Sequence, residues 1–121
     1  MPGPGRGAVR RGSAVTGTGQ SIDEVLAAMA DPTRRQLLAA LAARGGGTAT
    51  SLAGGLPISR QAVVKHLAVL SRAGLVEARR SGREVRYVTR SDALQATARW
   101  MAGLAAEWDA RLSEIKRIAE S

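Results

Sequence analysis

Cysteine and phenylalanine are both missing from the 121 residues. Without cysteine there is no disulfide and no thiolate metal site, which suits a reducing compartment. Without phenylalanine, and with only two Trp and one Tyr, the core has to be aliphatic. Histidine is reduced to His66. One imidazole leaves a metal without a partner His or Cys ligand, and with no cysteine beside it no poised nucleophile or acid/base set stands out. No apolar run nears the roughly 18–20 residues that a membrane span needs. The N-terminus lacks the apolar centre of a signal peptide. "ARGGGTAT" (residues 43–50) has no lysine and follows a helical pattern, so it is not a phosphate-binding loop. These absences predict a soluble, cytoplasmic chain that is not an enzyme, uses no cofactor or metal and has no membrane partner.

What is present is basic. The net charge is +8, and all but two of the 18 basic residues are arginine, the exceptions being Lys65 and Lys116. The excess is not spread evenly. Residues 59–90 carry eight basic side chains against Glu77 and Glu84, and residues 1–20 add Arg6, Arg10 and Arg11 with no acid. The remainder is close to neutral. A concentrated cationic stretch is what a polyanion-binding surface needs, because each neutralised phosphate releases condensed counterions.

Residues 1–20, "MPGPGRGAVRRGSAVTGTGQ", have no apolar period and are expected to be a disordered Gly/Arg-rich tail. Order is expected from Ser21, a helix cap followed by Asp23 and Glu24, with Ile22, Val25, Leu26 and Met29 as the apolar stripe. "DPTRRQLLAALAARGGG" restarts a helix. Asp31 caps it, Pro32 takes the first helical position, Leu37, Leu38 and Leu41 carry the stripe, and Gly45, Gly46 and Gly47 stop it. A short helix capped by Thr48 or Thr50 follows, bounded by Pro57. The next helix opens at Ser59, buries Val63, Leu67 and Leu70, and ends at Gly74. There the apolar period changes from helical to alternating. Leu75, Val76 and Ala78 lead into "RRSGRE", and Val85, Tyr87 and Val88 lead out, which reads as a hairpin. Two helices, a tight connection, a third helix and a basic hairpin make a winged helix-turn-helix. The last segment is one long helix beginning after Ser91. Its Leu94, Ala98, Met101, Ala105, Trp108, Leu112, Ile115 and Ala119 alternate spacings of four and three, a heptad seam wide enough to need a second chain.

The chain resembles the bacterial arsenic-repressor-like family of winged-helix transcriptional repressors, in its metal-free branch. The resemblance rests on "DPTRRQLLAAL", "ISRQAVVKHLAVLSRAGLV" and "RRSGREVRYV", in that order and spacing. It implies a homodimer that binds operator DNA, represses its own or a neighbouring operon, and is released by a signal; a small-molecule effector is left open. It implies a mainly α fold with a small β-hairpin and long dimerisation helices at both ends. Residues 21–121 then form one domain, with 31–90 as the DNA-binding core and 91–121 as the dimerisation helix. The metal sensors of the family carry paired Cys where this chain has Ser51, Leu52, Ala53, Gly54 and Gly55, or His-containing ligand sets on the last helix, which here has none. The repressor is implied; the metal sensor is not.

The candidate DNA contacts on the helix that opens at Ser59 are the cap Ser59 itself with Arg60, Gln61, Val64 and Lys65, the last four falling opposite the core stripe, near the end that enters a major groove. Arg60 suits guanine, Gln61 adenine and Val64 a thymine methyl, while Lys65 suits a phosphate. In the wing, Arg83 at the tip suits a narrow minor groove, and Arg79 and Arg86 suit phosphates. The dimer interface is expected from Val25, Leu26 and Met29 with Leu94, Met101, Ala105, Trp108, Leu112 and Ile115. His66, beside the core stripe, reads as a partly buried structural residue. The rival readings are a helix-mediated protein-interaction module that has lost specific DNA binding, and a non-specific nucleic-acid binder.

Overall fold

The computed structural model describes residues 19–120; most of the segment expected as a tail, residues 1–18, lies outside the described residues. Helix α1 (Ile22–Met29) starts from a capping box. Ser21 Oγ accepts the Glu24 N–H at 3.0 Å, and the Glu24 carboxylate accepts the Ser21 N–H at 2.9 Å. Helix α2 (Pro32–Arg44) follows the Asp31 cap and ends on Gly45, whose φ of 72° is the left-handed conformation glycine adopts without penalty. Strand β1 (Gly47–Thr48) then leads into the short helix α3 (Ala49–Ala53), capped by Thr48. Helix α4 (Arg60–Arg72) is capped by Ser59, which accepts the Ala62 N–H at 3.1 Å. Strands β2 (Val76–Ser81) and β3 (Glu84–Thr89) form the hairpin, and α5 (Asp92–Glu120) closes the chain with 29 residues.

The sheet order is β1-β3-β2, antiparallel throughout. The hairpin was expected, but β1 was not. The glycine run that stops α2 also brings the chain against β3: Gly46 adopts φ 126°, and a Cβ there would lie 3.1 Å from the Tyr87 carbonyl. Only glycine permits that approach, so the run ends a helix and opens a sheet edge at once.

The core is aliphatic, as composition requires. Leu37, Leu41, Leu52, Val63, Leu67, Leu70 and Leu75 are fully buried, each such side chain contributing about 1.5–3 kcal/mol. Arg34 rivets three elements at one edge of this core. Its Nε donates to the Ala28 carbonyl at 2.8 Å and Nη2 to Ala27 at 3.2 Å, while Nη1 lies 3.4 Å from His66 Nδ1 on α4. The last turn of α1 is thereby tied to α2 and α4.

Two expectations need correction. Of the long helices foreseen at both ends, only α5 is long; α1 has eight residues because Asp31 and Pro32 start a new helix directly after it. Val25, foreseen at a subunit interface, is fully buried in the chain's own core and presents nothing to a partner. On α5 the residues that pack inward are Ala93 and Thr97, with Leu104 half-buried a further two turns on. The heptad seam lies beside this stripe. Leu94 and Met101 are exposed, and Trp108, Leu112 and Ile115 are each 62% exposed. No helix among the described residues is long and apolar enough to cross a membrane.

Candidate nucleic-acid interface

Helix α4 divides its residues as its period demands. Val63, Leu67 and Leu70 are buried, His66 is half-buried, and Arg60, Gln61, Val64, Lys65 and Ala68 are exposed. The first turn of α4 projects beside the wing, leaving a groove of about 590 Å³ between them. One wall carries Thr50, Arg60 and Val64; the other carries Arg83, Val85 and Tyr87. Glu84 is the one carboxylate among the lining residues. Gln61 and Lys65 stand exposed one position further round the helix. Arg60, Val64 and Arg83, assigned from sequence to different grooves of the duplex, thus converge on a single cleft.

The wing turns on two residues, Gly82 and Arg83, between Ser81 and Glu84. Gly82 has φ 61° and Arg83 does not have positive φ, the glycine-first pattern of a two-residue hairpin turn. The Arg83 side chain is therefore held at the tip, in solvent. The register sets Arg79 opposite Arg86 and Arg80 opposite Val85. By pleat alternation Arg79 and Arg86 share the face turned away from Val85 and Tyr87, so they do not line the groove with Arg83. Two cations facing each other across strands destabilise a hairpin unless an anion lies between them or they are otherwise paired. Arg79 is partly compensated by Glu77, 3.6 Å away.

Glu77 is shared. Arg90 Nη1 donates to it at 2.6 Å and Arg90 Nη2 to Asp92 at 3.3 Å, clamping the base of the wing to the start of α5. The Arg90 hydrogen bond, with Arg79 nearby, holds the Glu77 carboxyl below its ordinary range. The same bond, joined by that to Asp92, raises Arg90. Arg90 is thus committed to carboxylates, whereas Arg60 on the first turn of α4 and Arg83 at the wing tip have no carboxylate partner among the described residues.

Two residues here hold places that no local sequence pattern marks. Arg80 shares a face with Val85 and Tyr87, a placement that follows only from the strand register. Thr50, considered only as a helix cap, is in the groove, where its Oγ1 accepts a hydrogen bond from Arg60 Nε at 3.1 Å. Ten residues separate them, and no local pattern links the two. Of the foreseen interface residues, Leu26, Leu94, Met101, Ala105, Trp108, Leu112 and Ile115 are exposed, and Met29 is half-buried. Among the described residues no cluster of three or more His, Asp or Glu side chains could hold a metal ion.

A helix-turn-helix domain family matches residues 29–79. Among solved structures, the chain is similar to an ArsR-like transcriptional regulator from Rhodococcus sp. RHA1. The two are 48% identical with a TM-score of 0.75, over 83% of this chain and 93% of that one. It is also similar to HlyU from Vibrio cholerae, at 32% identity and a TM-score of 0.54, over 67% of this chain and 84% of that one. A homodimeric winged helix-turn-helix DNA-binding domain from Mycobacterium bovis, solved in solution, shares the fold at 23% identity and a TM-score of 0.60, over 88% of this chain and 89% of that one. No curated protein matches the chain.

Proposed function

The chain belongs to the ArsR family of winged helix-turn-helix transcriptional regulators, and from that premise we propose that it is a homodimeric repressor binding a specific operator in the cytoplasm. The observation that carries this reading is the groove in which an exposed arginine and valine at the start of α4 face an arginine at the wing tip. A major-groove base edge is read by side chains at such a helix start, and the flanking backbone is held by wing cations. Arg60 and Gln61 are the base readers, Val64 packs on a thymine methyl, Lys65, Arg79 and Arg86 hold phosphates, and Arg83 enters a minor groove. Residues 31–90 form the DNA-binding core, and 91–121 the dimerisation helix. The operator lies at its own or a neighbouring promoter. Release follows a non-metal signal, since no thiolate is present and the one histidine, half-buried on α4, has Arg34 as its neighbour.

Selection of bound duplexes from a random-sequence pool tests the reading. Wild-type protein should enrich an inverted repeat. Arg60→Ala or Gln61→Ala should cost about 1–3 kcal/mol on that duplex and much less on random DNA. Enrichment of no sequence, or equal losses on both DNAs, defeats sequence-specific recognition. The exposed seam of α5 favours one competing reading, a protein-interaction module without specific DNA binding. Nanomolar operator affinity that falls steeply with salt excludes it.

A further inference from the structure

Among the described residues, the hydrogen bond between Thr50 and Arg60 is the only polar contact within the groove that joins the two helices of the helix-turn-helix. We propose that Thr50 is a positioning residue that restricts Arg60 to end-on recognition of a guanine, so that a residue on the supporting helix sets the base preference of the recognition helix. This rests on the reading of Arg60 as a base-contacting residue.

Arg60 is the first residue of α4 and is exposed, and a guanidinium on a flexible stem there samples many directions. Thr50 is not free in the same way. It sits on α3, whose neighbours Ala49 and Leu52 are buried. The turn beneath it is locked by a reciprocal cap: Thr48 Oγ1 accepts the Ser51 N–H and Ser51 Oγ accepts the Thr48 N–H, each at 3.0 Å. A hydroxyl on that platform gives Arg60 one fixed point.

The atom chosen matters. A guanidinium can meet the O6 and N7 acceptors of guanine side-on, through Nε and one Nη, or end-on, through both Nη groups. At 3.1 Å the Nε hydrogen is spent on Thr50. Among the described residues Arg60 has no other hydrogen bond or ion pair, so both Nη groups are left for the end-on mode. Adenine offers a donor at the position of O6 and would face the Nη hydrogens with a like group. The fixed arginine therefore discriminates against adenine more strongly than a mobile one, which can move away to a phosphate.

Binding should be measured on the duplex selected from the random pool and on variants with each guanine of the half-site changed to adenine. Thr50→Val keeps the shape and removes the acceptor. It should lower affinity for the selected duplex about tenfold and flatten discrimination at one guanine, the same one that Arg60→Ala flattens. Thr50→Ser should restore both. In an Arg60→Ala background Thr50→Val should add nothing, because the hydroxyl acts only through that arginine. Additive losses, or a Thr50→Val protein that still discriminates fully at that guanine while Arg60→Ala does not, overturn the inference and leave Arg60 as a reader. If Arg60→Ala itself binds like the wild type, the reading of Arg60 has failed first. Circular dichroism melting of each variant separates misfolding from lost contact, and the Ser variant carries the test should Val fail to fold.

Discussion

Asp31 receives two backbone N–H groups, from Thr33 at 2.8 Å and from Arg34 at 3.2 Å, with the Arg34 guanidinium 3.7 Å away. The Arg34 N–H does most to hold its carboxyl below the ordinary aspartate range, opposed by partial desolvation and helped by the Thr33 N–H and the Arg34 charge. A carboxyl depressed in the folded state stabilises it fully above the unfolded value of about 3.9, and that stabilisation is lost as pH falls through the folded value. Asp31→Asn keeps a capping oxygen but not the charge. It should melt below the wild type at neutral pH, and the gap should close as the medium is acidified past about pH 4. A gap that is the same at both ends of the titration would mean the charge contributes nothing. The caps Ser21, Asp31 and Ser59 were legible in the sequence because a cap bonds to a backbone only two or three residues away. Thr50 as the partner of Arg60 was not, since that pairing depends on how α3 lies across α4.

The wing was legible as a hairpin because the apolar period changes at Leu75 and a glycine marks the turn. Its third strand was hidden, since two residues of β1 carry no periodicity and their glycines read as a helix stop. The register was hidden too, and it decides that Arg79 and Arg86 face away from the groove while the tip overlooks it. The tip is solvated, and even a Cβ added at Gly82 would meet nothing within 4 Å. Arg83→Ala should therefore leave the melting temperature unchanged. On DNA it should weaken binding and reduce the slope of log affinity against log salt by about 0.9, the share of one phosphate, or by less if Arg83 reads groove width instead. Fluorescence anisotropy across a salt series measures this directly. A variant that tracks the wild type at every salt concentration removes the wing tip from the interface.

Most of α5 has no cover from its own chain. The heptad pattern was legible, but two stripes run along this helix, and spacing alone does not say which one its own chain takes. The own-chain stripe begins at Ala93 and Thr97, where small side chains let α5 approach α1 closely. From Ala105 to the end of the helix every residue is exposed, and that stretch carries Trp108, Leu112 and Ile115. A second copy seated there would bury the tryptophan twice over, once in each subunit, and a buried interface tryptophan is commonly worth about 2 kcal/mol or more. The consequence reaches the DNA surface. Two recognition helices read an inverted repeat only when they are held about 34–36 Å apart, and in a dimer that spacing is set by the pairing of the dimerisation helices. Trp108→Glu would place a charge against apolar neighbours at the seam. It should yield monomers by sedimentation at micromolar concentration and lose binding to the inverted repeat, while keeping a folded, helical circular dichroism spectrum because Trp108 packs on little of its own chain. Residual binding to a single half-site should remain, with the weak affinity of one helix and one wing. A wild type that sediments as a monomer at micromolar concentration and still holds the full repeat tightly would sink the dimer, because the exposed seam would then have no part in recognition.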